Sequence, residues 1–244
     1  MDERRVAITG LGAVTPAGIG AEALWGALHE GRRCLRRIDA FDPARFPCPI
    51  GGQIDDFSAR DFVPKSYRKA VKVMARDIEI AVAAADLAFR DAGLATIGTD
   101  PEAPALASER LGCNIGAGLV CTDLDELGVA LTTAVDDDGS FSLARWGRSG
   151  MTNLTPLWLL KYLPNMLSCH VTIIHGAMGP SNCITCGDAS GHLAVGEATR
   201  LVARRGADAA IAGGAESKLN PMGLLRQSLL GRLCTGRNDA PTGA

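Results

Sequence analysis

The sequence contains few aromatic residues and no long apolar run. Phenylalanine, tyrosine and tryptophan together make up 5% of the 244 residues. No apolar segment approaches the roughly 20 residues that a membrane-spanning helix needs, so the sequence predicts no membrane protein. The formal net charge is −2 and the isoelectric point is near 6.1. This balance offers no excess of positive charge for binding nucleic acid.

The sequence also lacks a recognisable export signal. Residues 1–5 are mostly charged and lead directly into the strand-like run at residues 6–10. The eight cysteines are scattered through apolar segments rather than framing short loops. We therefore expect reduced thiols in a cytoplasmic protein.

Glycine and alanine are abundant, with 29 glycines, and apolar residues make up 47% of the chain. This composition suits close-packed helices and sheets with tight turns. Strand patterns lie at residues 6–10, 110–118, 182–186 and 209–212. Helical patterns lie at residues 21–31, 71–93 and 190–205. Their alternation predicts an α/β fold with a largely buried sheet.

The loop after the first predicted strand begins like a dinucleotide-binding motif. Gly10 and Gly12 have the spacing of its first two glycines, but the third glycine is missing and Pro16 interrupts the turn. We therefore predict no nucleotide site and no cofactor.

Several short motifs in fixed order resemble the β-ketoacyl-acyl-carrier-protein synthase family, in particular its KAS II-like ketosynthases. They are the opening segment 5–16, Gly179-Pro180-Ser181, Ala212-Gly213-Gly214-Ala215-Glu216 and Arg237-Asn238-Asp239. The resemblance implies a thiolase-like layered αβαβα fold built from two related halves. Residues 1–244 would form an N-terminal-type domain that covers the first half and extends some way beyond it, with the second half missing.

The resemblance implies acyl transfer to a cysteine, followed by decarboxylative condensation. The family places that cysteine in a sharp turn before a helix, where the thiolate is favoured. Alignment from either side puts Asp188 at this position. A carboxylate is a poor acyl acceptor, because the acylated product would be a labile anhydride. The family's catalytic histidines come from the second half, so we expect this chain to be inactive in condensation by itself.

Three interpretations of Asp188 stay open. It could cap the next helix, assist a reaction electrostatically, or stand beside a shifted nucleophile. Cys186 is the candidate for that nucleophile, although a buried place in the preceding strand is the simpler expectation. Cys183 and Cys186 also have redox-pair spacing, but a strand is the wrong context for such a pair. Their spacing fits no common zinc module, so we predict no metal.

The resemblance also assigns a pocket and partners. Gly116, Gly118 and Leu119 would line the acyl pocket. Lys65, Arg68 and Lys69 would dock an acidic acyl carrier protein. The strand at 182–186 would pair across a two-fold axis in a homodimer, or in a heterodimer with a ketosynthase.

The resulting prediction is a ketosynthase-like protein of fatty-acid or polyketide biosynthesis. Two alternatives are a non-catalytic partner of the chain-length-factor type and a residual acyltransferase that uses Cys186. Acyl chain length, pathway and the natural C-terminus stay open.

Overall fold

The computed structural model describes residues 4–241, in which strands and helices alternate. The strands are β1 (Val14–Thr15), β2 (Gly18–Ile19), β3 (Leu35–Arg37), β4 (Ile50–Gly52), β5 (Leu111–Ala117), β6 (Ser181–Ile184) and β7 (Ala209–Ala215). The helices are α1 (Ala21–His29), α2 (Arg76–Asp91), α3 (Leu124–Thr132), α4 (Leu143–Arg145), α5 (Met166–His175), α6 (Ser190–Ala203) and α7 (Pro221–Leu229).

A parallel sheet in the order β6-β5-β7 organises the fold. Every residue of β5 is buried, as expected for a central parallel strand covered on both faces. Because side chains alternate along a strand, Cys113 and Ile115 face α2 and α5, while Gly112 and Gly116 face α6. The sheet therefore lies between two helical layers. β1–β2 and β3–β4 form two small antiparallel hairpins.

The main core lies between β5, α2 and α5. Ile78 and Val82 of α2 meet Leu167 and Val171 of α5, and all four are 0% exposed. Full burial of an aliphatic side chain of this size stabilises a fold by about 1.5–3 kcal/mol. The apolar spacing of α2 correctly predicts this face. Val71, which shares the spacing, instead lies in a preceding 3-10 turn (Ala70–Val73). The backbone is extended at Met74 and Ala75, which separates that turn from α2.

The strand predicted at residues 6–10 is absent from the described residues. Instead, Gly10 and Gly12 pack their backbones against α2, where a Cβ on either residue would meet a carbonyl oxygen at 2.3 or 1.9 Å. The amide of Leu11 donates to Asp91 Oδ2 over 2.8 Å. A cavity of about 490 Å³ lies between this segment and β7. Across this gap, residues 6–10 and β7 do not form the ladder hydrogen bonds that a strand requires.

The strand predicted at residues 182–186 is present but ends at Ile184. Residues 171–174 belong to α5. Within residues 4–241, no helix is both long and apolar enough to span a membrane.

Candidate functional site

A cavity of about 500 Å³ opens at the carboxyl ends of β5 and β7, beside the start of α6. Ligands of open parallel α/β sheets bind at this edge. The lining residues come from three segments: residues 116–118, residues 187–195 and residues 213–216. The sequence motifs at the predicted turn and at Ala212–Glu216 therefore meet at one cavity.

Glycine is required where β5 meets α6. A Cβ on Gly116 would lie 2.4 Å from both the Gly191 nitrogen and the Ser190 carbonyl carbon. A Cβ on Gly214 would lie 3.1 Å from the Gly116 oxygen. These backbone atoms belong to rigid elements, so they cannot move aside for a side chain. Gly116 and Gly214 therefore let the turn before α6 approach the sheet closely.

Of the three predicted pocket residues, Gly116 and Gly118 line the cavity, and Leu119 is absent from its lining. Leu119 is 59% exposed, and its carbonyl accepts a hydrogen bond from Arg226 at 2.9 Å. Gly118 leaves room for Glu216, whose Oε1 would lie 2.4 Å from a Cβ at residue 118. Glu216 is paired with Lys218 at 2.6 Å. Glu216 is a lining residue to which the sequence prediction assigned no role.

Asp188 lines the cavity but does not cap α6, which corrects one of its interpretations. The helix begins at Ser190, and Ala189 at the cap position makes no side-chain hydrogen bond. Asp188 instead points to Arg232, whose Nη1 donates to its Oδ2 over 3.0 Å. The side chain of Asp188 is 72% exposed in this pair.

Ser190 holds the turn in place of Asp188. Its hydroxyl oxygen accepts from the Cys186 amide at 2.8 Å and donates to the Gly187 carbonyl at 2.7 Å. Gly187 has φ of 57°, a left-handed conformation that suits glycine. Ser190 is buried, and its short side chain closes the turn through these two hydrogen bonds.

Cys186 is exposed, which corrects the expectation that it is buried in a strand. β6 ends two residues earlier, and Cys186 lies outside the set of residues lining the cavity. Cys183 is half-buried, and its thiol donates to the Pro164 carbonyl at 3.3 Å. All eight cysteines are free thiols. The described residues contain no group of three or more histidine, cysteine or acidic side chains placed to hold a metal ion.

Asp77 is a buried carboxylate beside the site that sequence reasoning missed. It is 3% exposed, and its Oδ1 accepts from the Ser217 amide at 3.1 Å. Burial raises the pKa of Asp77 to about 6, and the nearby negative charge of Glu216 adds to that rise. The sequence feature that could have indicated Asp77 is its position, as a charged residue, among the apolar residues of α2.

The four histidines occupy different environments. His192 lies on the first turn of α6 and lines the cavity with Asp188. His170 is buried and contacts the Tyr67 hydroxyl at 2.8 Å through Nδ1, and burial lowers its pKa. His175 is 2% exposed, and burial lowers its pKa to about 4. Neither His170 nor His175 lines the cavity, and His29 is exposed at the end of α1.

The basic cluster of Lys65, Arg68 and Lys69 lies at two 3-10 turns that precede α2, rather than in a long helix. All three side chains are exposed, and none forms a salt bridge within residues 4–241. A further group of arginines lies at residues 32–37, and there Arg36 pairs with both Asp39 and Asp55. Lys65, Arg68 and Lys69 therefore lack the carboxylate partners that Arg36 has.

The predicted dimer strand lies at an edge of the sheet. β6 pairs with β5 only, and its other side faces no strand of the described chain. Ser181 and Asn182 are exposed, and Cys183 and Ile184 are half-buried. An unpaired edge of this kind can accept a further strand.

Comparison with known proteins identifies the family. The family model described as "Beta-ketoacyl synthase, N-terminal domain" matches residues 3–240. A 3-oxoacyl-[acyl-carrier-protein] synthase 2 from Synechocystis is 32% identical over 99% of this chain and 52% of the relative. The chain thus spans about half the length of the curated relatives that it matches.

Solved structures agree with this result. A β-ketoacyl synthase from Burkholderia phymatum matches with a TM-score of 0.74 and 25% identity over 98% of this chain and 53% of the other. Two further structures support the fold alone. A type II PKS acyl-carrier protein in complex with its ketosynthase matches with a TM-score of 0.69 at 16% identity, over 93% of this chain and 55% of the other. The ishigamide ketosynthase/chain length factor matches with a TM-score of 0.70 at 23% identity, over 95% of this chain and 52% of the other.

These matches confirm the predicted thiolase-like α/β fold, since the solved structures are ketosynthases and their likeness covers nearly all of this chain. The chain belongs to the β-ketoacyl synthase family, in which it corresponds to the N-terminal domain.

Proposed function

We propose that this chain is the N-terminal part of a ketosynthase-like protein of fatty-acid or polyketide biosynthesis that receives an acyl carrier protein but does not condense. The observation that carries the proposal is Asp188, at the cavity and at the position that the resemblance aligns with the nucleophilic cysteine. The eight free thiols are compatible with a cytoplasmic setting.

A carboxylate at this position cannot replace a thiolate. Attack of Asp188 on a thioester would produce a mixed anhydride, which water cleaves readily. The hydrogen bond from Arg232 also occupies one carboxylate oxygen of Asp188. The proposed site therefore holds an acyl group without forming a lasting bond to it.

The partner is inferred from charge. Lys65, Arg68 and Lys69 present three exposed cations without a neutralising carboxylate in the described chain. An acidic carrier surface would be steered to this cluster and oriented by it. A pair of charge reversals should therefore weaken binding more than the same change elsewhere.

We expect the Lys65→Glu/Lys69→Glu variant to bind a bacterial acyl carrier protein at least about tenfold more weakly at low salt. Fluorescence anisotropy with labelled carrier measures the change. The matched control is Arg200→Glu/Arg204→Glu at the C-terminal end of α6, where both arginines already contact Glu197. Equal losses in both variants would mean that net charge, rather than this cluster, attracts the carrier.

We expect no stable acyl adduct on this chain after incubation with an acyl-carrier thioester, as measured by intact-protein mass spectrometry. Asp188→Cys is the positive control, because a thiol beside the start of α6 should form a lasting thioester. An adduct on the unaltered chain that disappears in Cys186→Ala would contradict the proposal. It would instead support a residual acyltransferase that uses the exposed thiol of Cys186.

The free edge of β6 favours a second candidate function, a non-catalytic partner of an active ketosynthase. In that arrangement β6 would pair across a two-fold axis and the chain would shape the partner's acyl tunnel. Heterodimers would favour this role, whereas homodimers alone would weaken it.

A further inference from the structure

We infer that Asp77 is a positioning residue of the candidate site: its buried carboxylate anchors the Ser217 amide and so fixes Glu216 in the cavity wall. Glu216 lines the cavity, and Ser217 follows it in the chain. The effect of this wall on an acyl ligand rests on the proposed function. The contacts that form the anchor are independent of any ligand.

The anchor joins two elements that are distant in the sequence. Asp77 lies in the first turn of α2, is 3% exposed and accepts from the Ser217 amide through Oδ1 at 3.1 Å. Residues 216–219 follow β7 and belong to no helix or strand. The pairing of β7 with β5 ends at Ala215. The carboxylate therefore gives the Ser217 amide an acceptor that the sheet no longer supplies.

The side chains that flank Ser217 form part of the site. Glu216 and Lys218 pair with each other at 2.6 Å. Gly118, which follows β5, leaves the space that Glu216 occupies, since a Cβ there would lie 2.4 Å from Glu216 Oε1. Release of the Ser217 amide would let the Glu216 carboxylate leave this space. The shape of the cavity wall therefore depends on the anchor.

Asp77 is an unfavourable residue to bury. Burial raises its pKa to about 6, and the negative charge of Glu216 adds to the rise, whereas the Ser217 amide and the Lys218 charge lower it. At pH 7 the carboxylate is therefore ionised and buried at the same time, which disfavours the fold. An apolar residue would pack on α2 without this cost, so the position indicates a role beyond packing.

The groups whose charges act on Asp77 lie on two other segments. Glu216 and Lys218 follow β7, and the Cys121 thiol lies on the loop after β5. Burial raises the pKa of the Cys121 thiol, so this thiol stays neutral between pH 5 and pH 7. Arg226 of α7 contacts the Cys121 sulfur at 3.1 Å. Between pH 7 and pH 5, therefore, Asp77 gains a proton while the thiol keeps its own.

Protonation of Asp77 should tighten the anchor. Movement of residues 216–218 away from α2 would let water reach the carboxylate, and its pKa would then return toward 3.8. Because the pKa is about 6 in the closed arrangement, a bound proton favours that arrangement. The added hold on Ser217 is fully present below about pH 4 and is lost as the pH rises through about 6.

Hydrogen exchange of single amides, measured by NMR as protection factors that correct for the intrinsic effect of pH, tests the anchor. We expect Ser217 protection to be about tenfold higher at pH 5 than at pH 7. Asp77→Asn keeps an acceptor oxygen but cannot titrate, so its protection should stay near the higher value at both pH values. Asp77→Leu removes the acceptor and should lower protection about tenfold at pH 5. The matched control is Asp86→Asn, which alters another buried aspartate of α2 and should leave Ser217 unchanged.

The amide of Ile115, in the fully buried strand β5, reports global unfolding in the same samples. A rise in Ser217 protection at low pH that Ile115 does not share, and that Asp77→Asn abolishes, supports the anchor. Ser217 protection that is independent of pH, or that changes by the same factor as Ile115, overturns it. If Asp77→Leu does not fold, the comparison of Asp77→Asn with the unaltered chain is decisive. No measurement uses a carrier protein or an acyl group, so failure of the proposed function would remain distinguishable.

Discussion

Replacing Gly116 by alanine is expected to destabilise the fold by about 3 kcal/mol, the upper part of the range for overpacking. The added Cβ would lie 2.4 Å from two backbone atoms at the start of α6. Both elements are rigid, so relief requires moving the helix away from the central strand. For a domain of this size, the expected fall in melting temperature is about 6–12 °C.

Gly196→Ala is the matched control for this prediction. Gly196 lies within α6, and a Cβ there would meet nothing within 4 Å. Alanine should stabilise the helix by about 0.5–1 kcal/mol, because it reduces the freedom of the unfolded chain. Thermal melts of both variants measure the contrast. Similar melting temperatures for the two would mean that α6 does not approach β5 as closely as the structure places it.

Acidification from pH 7 to pH 4 is expected to cost the fold about 3 kcal/mol through His175. The side chain is 2% exposed, and Nε2 is buried without a hydrogen-bond partner among the described residues. Nδ1 contacts the Thr96 hydroxyl at 2.8 Å. Burial, with a smaller effect from the Arg90 charge, lowers the pKa from 6.5 to about 4.

The direction of the effect is set by proton binding. Below pH 6.5 the unfolded chain binds a proton at His175, whereas the folded chain does not until about pH 4. Stability is therefore lost as the pH falls through this window, and the loss levels off below the folded pKa. Asp77 acts in the opposite direction, because its pKa is raised to about 6 and its protonation favours the fold.

Comparison with His175→Leu isolates the contribution of His175. Urea unfolding at pH 7 and pH 4 gives the free energy of unfolding for both proteins, and Asp77 contributes equally to each. We expect the unaltered chain to lose about 3 kcal/mol more than the variant over this range. Equal losses would mean that His175 is protonated in the fold near its ordinary pKa.

Helices α1, α2 and α6 and the three strands of the parallel sheet could be predicted from the sequence, because their signal is local. The apolar spacing of α2 and the alternation of strands and helices are enforced by burial of one face. The ordered motifs also identified the family and placed Asp188, Gly116 and Gly118 at one expected site, to which the structure adds residues 213–216. Parallel strands place their carboxyl ends at one edge, so this convergence is a result of topology.

Only the tertiary structure shows which residues the site side chains contact. Asp188 pairs with Arg232, forty-four positions away, and Ser190, rather than Asp188, makes the side-chain hydrogen bonds at the start of α6. Asp77 meets Ser217 across 140 positions. The exposure of Cys186 and the gap beside residues 6–10 likewise depend on neighbouring elements. Contacts between residues this far apart produce no periodic pattern in the sequence, because each contact depends on how rigid helices and strands pack together.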